Sequence, residues 1–267
     1  MLSRESSLAD GFVTVKRKRS ASRAPSDAPA APGANELLGA LPAEVLHRLL
    51  PALERVPLVL KEILHQTGEP IEYVYFPGGG FVSELTVLET GEMVEIATIG
   101  REGVVGIFAS DDGQHAPSVS MVQAATDACY RLPTTVFRTE MDRGNAFHEL
   151  MTRYMHAHVG LIMQSTACNA IHTVEQRLAR WLLMAHDRVG LDEFPLTQEF
   201  VAMMLGVSRP SVTIVAGTLQ KAGLITYHRG HLAIVDRENL EAASCECYRV
   251  ARRLLASVRK PLGKRKR

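Results

Sequence analysis

The sequence lacks the features of a membrane or secreted protein. No apolar run approaches the ~18 residues that a membrane-spanning helix requires. The N-terminal segment is polar and basic, unlike a signal peptide. Only four cysteines occur among 267 residues, and they form no repeated CxxC pair. We therefore expect a cytoplasmic protein without membrane contact, whose thiols stay reduced.

Enzyme motifs are also lacking. His148-Glu149 begins like a zinc-protease motif, but the fifth position is Thr152 instead of a second histidine. On a helix, His156 and His158 would project about 200° apart and could not hold one ion together. A nucleophile elbow, a phosphate loop and a dinucleotide fingerprint are absent. We therefore expect no catalytic residue, no metal ligand and no cofactor, with a histidine-based metalloenzyme as a distant alternative.

Composition and charge divide the chain into five segments. A hydrophobic content of 46% is enough for about two domains with real cores. The last 21 residues hold nine Lys or Arg and no acid, so they could strengthen nucleic-acid binding without sequence preference. The predicted segments are a disordered tail (1–34), a β-roll sensor domain (35–145), a dimerisation helix with linker (146–190), a winged helix-turn-helix domain (191–246) and a basic tail (247–267).

Hydrophobic periodicity supports the second and third segments. Between Val56 and Leu132 apolar residues alternate with a period of two and glycine-bearing turns intervene, which predicts an antiparallel roll or barrel. The next segment returns to a helical period. A heptad seam and a neighbouring stripe predict two partners, the roll and the same helix of a second subunit. The seam is Leu150, Tyr154, Ala157, Leu161, Gln164 and Cys168, and the stripe is Met151, Met155, His158 and Ile162.

Residues 197–213 predict two short helices joined by a tight turn. Thr197 is a fitting N-cap for the first helix, and Gly206 can adopt the left-handed conformation that turns the chain. Ser208 then caps a second helix, in which Pro210 occupies the first turn and needs no amide donor. The run from Leu224 to Val235 follows as a hairpin around a glycine turn. Together these elements predict a helix-turn-helix with a wing, and hence binding to double-stranded DNA.

A roll, a long helix and a winged helix in this order resemble the Crp/Fnr family of bacterial transcription regulators, over roughly residues 35–240. The resemblance implies an α+β fold with a cyclic-nucleotide-binding-like antiparallel β-roll, a long dimerisation helix and a C-terminal winged helix-turn-helix. It also implies a homodimer on two-fold-related DNA, with RNA polymerase as a possible partner. The iron–sulfur members carry an N-terminal cysteine cluster, but this chain has no cysteine before Cys129, which excludes that cluster.

The effector site departs from the family pattern. In cyclic-nucleotide-binding relatives a Glu holds the ribose and an Arg holds the phosphate, but these positions are Val104 and Pro117 here. Losing such an arginine removes a contact worth about 1.5–3 kcal/mol. We therefore predict that cyclic AMP is not the effector. Arg101 could face an anion, or it could be solvated or paired with Glu102, and the glycines could simply shape the turn. The candidate effector pocket is Arg101, Glu102, Gly103, Val104, Gly106 and Ser118.

The resemblance also indicates which residues meet DNA. It places five residues at the start of the recognition helix in the groove: Arg209, Pro210, Ser211, Thr213 and Ile214. Four others are candidates for backbone contacts: Thr197, Ser208, Arg229 and His231. Relatives commonly have Glu at the position of Pro210 and Arg at that of Ile214, so their half-site sequence does not carry over. Arg209 is the best candidate for a guanine or phosphate contact.

An alternative function is a small-molecule or thiol-responsive sensor that acts through protein contacts, with a degenerate winged helix as docking module. Cys245 and Cys247 motivate it, because thiols beside Arg249, Arg252 and Arg253 would have lowered pKa values. Two small residues on a terminal helix are the other interpretation of this pair. Whether the protein shifts DNA from its own upstream region distinguishes the two functions.

Overall fold

The computed structural model describes residues 32–110, 115–228 and 230–259. Most of the predicted tail 1–34 and the last eight residues of the predicted basic tail therefore lie outside the described residues, as does Arg229.

Two short helices, α1 (Glu36–Gly39) and α2 (Ala43–Leu49), precede the roll. Asn35 caps α1, since its side-chain oxygen accepts hydrogen bonds from the amides of Leu37 and Leu38. Its side-chain amide donates to the carbonyls of Pro77 and Gly103, at 2.8 and 2.9 Å. One buried asparagine thus fixes the N-terminal helix to the roll.

Two antiparallel sheets form the roll, as the period of two predicts. The strands are β1 (Glu54–Leu58), β2 (Ile63–His65), β3 (Tyr73–Pro77), β4 (Phe81–Val87), β5 (Met93–Ile99), β6 (Val119–Ala124) and β7 (Thr126–Pro133). One sheet has the order β1-β7-β3 and the other β2-β6-β4-β5. Apolar side chains fill the space between them: Leu58, Val82, Ile99, Val105, Val122 and Cys129. The antiparallel roll is confirmed.

Three helices follow: α3 (Thr134–Asp142), α4 (Ala146–Ile171) and α5 (Val174–Val189). The chain breaks between α4 and α5 at His172, because Thr173 and Gln176 form a capping box that starts a new helix. Met151 and His158 of α4 are buried, and His158 bonds to Glu84 of the roll. The expected contact of one α4 stripe with the roll is therefore present.

The winged helix consists of β8 (Glu193–Pro195), α6 (Gln198–Leu205), α7 (Arg209–Lys221), β9 (Ile225–His228) and β10 (His231–Ile234). Gly206 ends α6 with a φ of +60°, in the left-handed region that the tight turn requires. The strands form a small sheet of order β8-β10-β9. Both helices and the wing confirm the prediction. Among the described residues no single helix is long and apolar enough to cross a membrane; only α6 and α7, bent by 106°, satisfy that criterion as a pair.

Two further helices, α8 (Arg237–Ala243) and α9 (Cys247–Val258), end the described chain. The segment expected to be a basic tail thus begins with a helix, which packs along α4. Leu150, Ala157 and Leu161 of the predicted dimer seam are consequently buried within one chain. The premise that a monomer would expose this seam is wrong, because heptad spacing marks a buried stripe without identifying its partner.

Candidate nucleic-acid interface and effector site

The N-terminal half of α7 has one side buried in the protein and the other side exposed. The Ser208 side chain accepts a hydrogen bond from the Ser211 amide at 3.3 Å, which fixes the first turn. Val212, Ala216 and Leu219 are buried beneath it. On the outer face, Arg209, Pro210, Thr213 and Ile214 are exposed and Ser211 is partly exposed, as the sequence predicts.

Ile214 and Thr213 differ in their availability for contact. Ile214 is 70% exposed, so a branched apolar side chain projects from the helix where a thymine methyl could be met. The Thr213 hydroxyl instead donates to the Gln198 side chain at 2.7 Å. Gln198 was not among the predicted residues, although it directly follows the predicted cap. It links the first turn of α6 to the outer face of α7.

The wing lies beside the cap of α6. The Thr197 side chain accepts from the Phe200 amide at 3.2 Å, and its methyl group lies next to the Gly230 turn. The Tyr227 hydroxyl donates to the Leu196 carbonyl at 2.9 Å. Thr197 therefore lies next to the wing, and His231 lies on strand β10 of that wing.

His231 faces an acidic side chain. Its Nδ1 atom lies 3.5 Å from a Glu193 carboxylate oxygen, and both side chains are exposed. Cross-strand pairing with an acid limits how strongly His231 could attract a phosphate. Arg229, at the predicted wing tip, lies outside the described residues.

Glu102 of the predicted effector pocket is already engaged by α5. The Arg188 guanidinium lies 2.7 Å from its carboxylate, and both side chains are buried. Arg188 also donates to the Thr98 carbonyl at 3.1 Å. Arg101 pairs with Glu36 at 3.3 Å and is about half exposed, so the expected alternative of an Arg101–Glu102 pair does not occur.

The other predicted pocket residues are packed into the protein. Val104 and Ser118 are buried. A Cβ on Gly103 would lie within 3 Å of the Tyr154 ring of α4, so only glycine allows this approach. Gly106 has a φ of +86° and lies against His65. The glycines therefore shape the turn, which was the alternative interpretation of this segment.

A basic cleft lies beside Arg101 and Glu102 of the predicted effector pocket. It lies between the roll, α5 and α9, with a volume of about 850 Å³. Arg249 and Arg253 line it and form no ion pair within the described part of the chain. Among the described residues, the charged ones that line the cleft are Glu36, Arg101, Glu102, Asp187, Arg188, Glu241, Arg249, Arg252, Arg253 and Arg259. Six arginines against four acids give this cleft a positive balance suited to an anion.

Three cysteines and a histidine converge where α4 meets α8 and α9. They are Cys168, His172, Cys245 and Cys247. A hydrogen bond with the Cys168 thiol lowers the pKa of Cys245, whereas burial raises the pKa of Cys247. The expected lowering of the pKa thus applies only to Cys245, and its main cause is the thiol of Cys168 and not the neighbouring arginines. Sequence reasoning missed the cluster because Cys168 and Cys245 are 77 positions apart.

Comparison with known proteins agrees with this geometry. Residues 176–243 match the family model of the Crp-like helix-turn-helix domain. No curated protein matches the chain. FixK2 from Bradyrhizobium japonicum is 16% identical, with 72% of this chain and 98% of that chain covered and a TM-score of 0.61. A CRP-family transcriptional regulator from Thermus thermophilus is 20% identical, covering 71% and 96%, with a TM-score of 0.59.

A third solved structure has the same fold. It is the c-di-GMP-responsive global regulator CLP of Xanthomonas campestris, 15% identical over 72% of this chain and 99% of that chain, with a TM-score of 0.58. These identities are low, so the solved structures establish the fold, while the helix-turn-helix is matched at the level of sequence. Residues 176–243 are thus a Crp-like helix-turn-helix domain, and the chain has the fold of solved Crp-family transcriptional regulators.

Proposed function

We propose that this protein is a Crp/Fnr-type DNA-binding transcription regulator. It acts as a homodimer whose two α7 helices bind the half-sites of a two-fold-related operator. The observation that carries the proposal is the exposed start of α7. Arg209 and Ile214 project outward there, while Val212 and Leu219 anchor the helix beneath. A rigid helix with an outward donor and an outward apolar group is suited to reading base edges in the major groove.

A stripe on α4 supports the dimer, although it differs from the predicted seam. Five exposed residues are spaced 3, 4, 3 and 4 apart, which is a heptad pattern: His156, Val159, Met163, Thr166 and Ala170. Met163 is 67% exposed. We assign this stripe to the α4 of a second copy, because antiparallel or parallel pairing of two such stripes would bury these side chains.

The dimer is tested with a charge in the stripe. Met163→Glu should convert the chain from dimer to monomer in light scattering, because it would place a charge in an apolar interface. Leu191→Glu is the matched control, since Leu191 is also exposed but lies outside α4. A wild-type chain that scatters as a monomer at micromolar concentration would refute the assignment.

DNA binding is tested with the upstream region of the protein's own gene. A gel shift that is competed by the same fragment but not by random DNA is the expected result. Absence of any shift would instead favour the alternative sensor, in which the winged helix serves as a docking module for protein. Contact with RNA polymerase would be the further step in an activator.

We propose that the effector is an anionic molecule other than cyclic AMP, bound in the basic cleft. Arg249 and Arg253 favour this position because neither forms an ion pair within the described residues. Small molecules that copurify with the wild type should be missing from the double variant Arg249→Glu, Arg253→Glu in mass spectrometry. Recovery of the same molecule from both proteins would exclude the cleft as its site.

A further inference from the structure

Four potential metal ligands meet at one point of the fold. Cys168 lies in the last turn of α4 and His172 caps that helix, while Cys245 and Cys247 flank the junction of α8 and α9. The Cys168 and Cys245 sulfurs are 3.5 Å apart, and the Cys247 sulfur lies 3.5 Å from Nδ1 of His172. All four ligand atoms lie within 4.8 Å of one another.

The spacing of these atoms suits a single ion. Tetrahedral zinc, with Zn–S near 2.3 Å and Zn–N near 2.0 Å, separates its ligand atoms by about 3.5–3.8 Å. The observed separations are close to this range and would need shifts of an ångström or less. An iron–sulfur cluster distributes its four protein ligands over two or more iron atoms and would hold those on different irons farther apart. The geometry therefore favours one mononuclear ion.

The surrounding side chains are arranged as around a metal. His172 directs Nδ1 toward the sulfurs and places Nε2 3.1 Å from a Glu246 carboxylate oxygen. A carboxylate on the far nitrogen is the usual way to orient a metal-binding histidine. Gln164 donates its side-chain amide to the Cys247 sulfur at 3.0 Å.

Buried positive charge lies nearby. Arg177 and Arg180 of α5 are buried and interact electrostatically with the thiols of this cluster. Three thiolates around a divalent cation carry a net charge of about −1. The two arginines supply the charge that would offset it.

We propose that Cys168, His172, Cys245 and Cys247 bind one zinc ion in a closed tetrahedral site. On binding, three thiols lose their protons to solvent and form Zn–S bonds, the neutral imidazole forms a Zn–N bond, and no atom is oxidised or reduced. Four protein ligands leave no position for a substrate, so the site is structural.

The position of the site defines what the ion would hold together. It joins the end of α4 to the start of α9, the helix that covers α4 with Leu254 beside Gly160. Arg177, next to the thiols, donates a hydrogen bond to the Leu205 carbonyl at the end of α6. The ion would thus fasten the C-terminal helix beside the first helix of the DNA-binding unit.

Metal content of the full chain tests the proposal. Protein purified under reducing conditions should contain about one zinc per chain, and Co²⁺ exchanged into it should give the absorption of tetrahedral thiolate coordination. Cys168→Ser and Cys247→Ser should each lose that spectrum. Cys129→Ser is the matched control, because Cys129 lies in the roll core, and it should keep both metal and spectrum. A wild type that neither contains zinc nor gives the Co²⁺ spectrum would overturn the proposal.

A milder variant covers the case in which ligand variants fail to fold. Glu246→Gln should keep the tetrahedral Co²⁺ spectrum but bind zinc about 10–100-fold more weakly in chelator competition. Glu238→Gln, on the exposed side of α8, should leave the affinity unchanged. Equal affinities for both variants would show that the Glu246 carboxylate does not support the metal-binding histidine. A Cys168–Cys245 disulfide or an iron–sulfur chromophore in anaerobically purified protein would replace the zinc site altogether.

Discussion

The Glu95 carboxyl group should make stability fall as pH rises. It lies between the roll and α5, where the Ser83 hydroxyl donates to it at 2.5 Å and the Trp181 indole at 2.8 Å. Burial raises its pKa from 4.5 to about 7, despite these bonds and the positive charges of Arg180 and Arg188. The folded protein therefore keeps a proton on Glu95 that the unfolded chain releases near pH 4.5.

The sign and size of the effect follow from that difference. Between pH 4.5 and 7 the folded state binds more protons than the unfolded state. The contribution of Glu95 to the free energy of unfolding is therefore complete below pH 4.5 and is lost as pH rises through 7. Each pKa unit corresponds to about 1.4 kcal/mol, which gives an upper limit of roughly 3 kcal/mol for the loss. Glu95→Gln stays neutral and should remove this pH dependence.

Urea unfolding at pH 5 and pH 8 measures the effect. Trp181 is the single tryptophan and contacts both Glu95 and Phe200, so its fluorescence reports on this junction. Glu95→Gln should match the wild type at pH 5 and exceed its free energy of unfolding at pH 8. Glu89→Gln, on an exposed turn, is the control and should follow the wild type. A wild-type minus Glu95→Gln difference that is the same at both pH values would refute the reasoning.

Further expected outcomes concern DNA, ligand and core. Arg209→Ala should weaken DNA binding by about 1–3 kcal/mol per half-site and relax the preference at one base pair. Lys221→Ala, at the other end of α7, should do neither. Equal losses of affinity for specific and random DNA would make Arg209 a phosphate contact. Deleting residues 260–267 should weaken binding to all sequences alike and reduce its salt dependence, as measured by titration in increasing salt. Cyclic AMP should give no calorimetric signal at sub-millimolar concentration, because Val104 is buried where relatives need a glutamate; micromolar binding would contradict this. His158→Ala should lower the free energy of unfolding by about 3 kcal/mol or more, because it leaves Glu84 buried without its partner at 2.9 Å, while His47→Ala on the exposed face of α2 should have little effect in the same urea titration.

Local signals explain what the sequence predicts well. Thr197, Gly206 and Ser208 act within a few residues of their own positions, as caps and a left-handed turn, and the structure shows each in that role. The alternation of the roll strands is local in the same sense. The sequence predicts these features because the residues that cause them lie within or next to the element that they shape.

Long-range pairing explains what the sequence does not reveal. The seam through Ala157 and Leu161 shows that a stripe is buried, but the covering helix α9 begins at Cys247. Glu102 likewise meets Arg188 across 86 positions, and neither residue carries a local sign of the pairing. Cys168 and His172 lie at the end of α4, whereas Cys245 and Cys247 lie where α8 is followed by α9. No single spacing motif therefore predicts their cluster.

Helix α5 contacts both the roll and the winged helix, in addition to the direct contact of α6 with β5. On one side Arg188 and Trp181 bond to Glu102 and Glu95 of the roll. On the other, the Trp181 ring meets Phe200 of α6 edge-on. An anion in the basic cleft would compete with Glu102 for Arg188, which lines that cleft. An effector shifts a conformational equilibrium only by the difference in its affinity for the two states. Replacement of Glu102 by the anion as the partner of Arg188 could supply that difference.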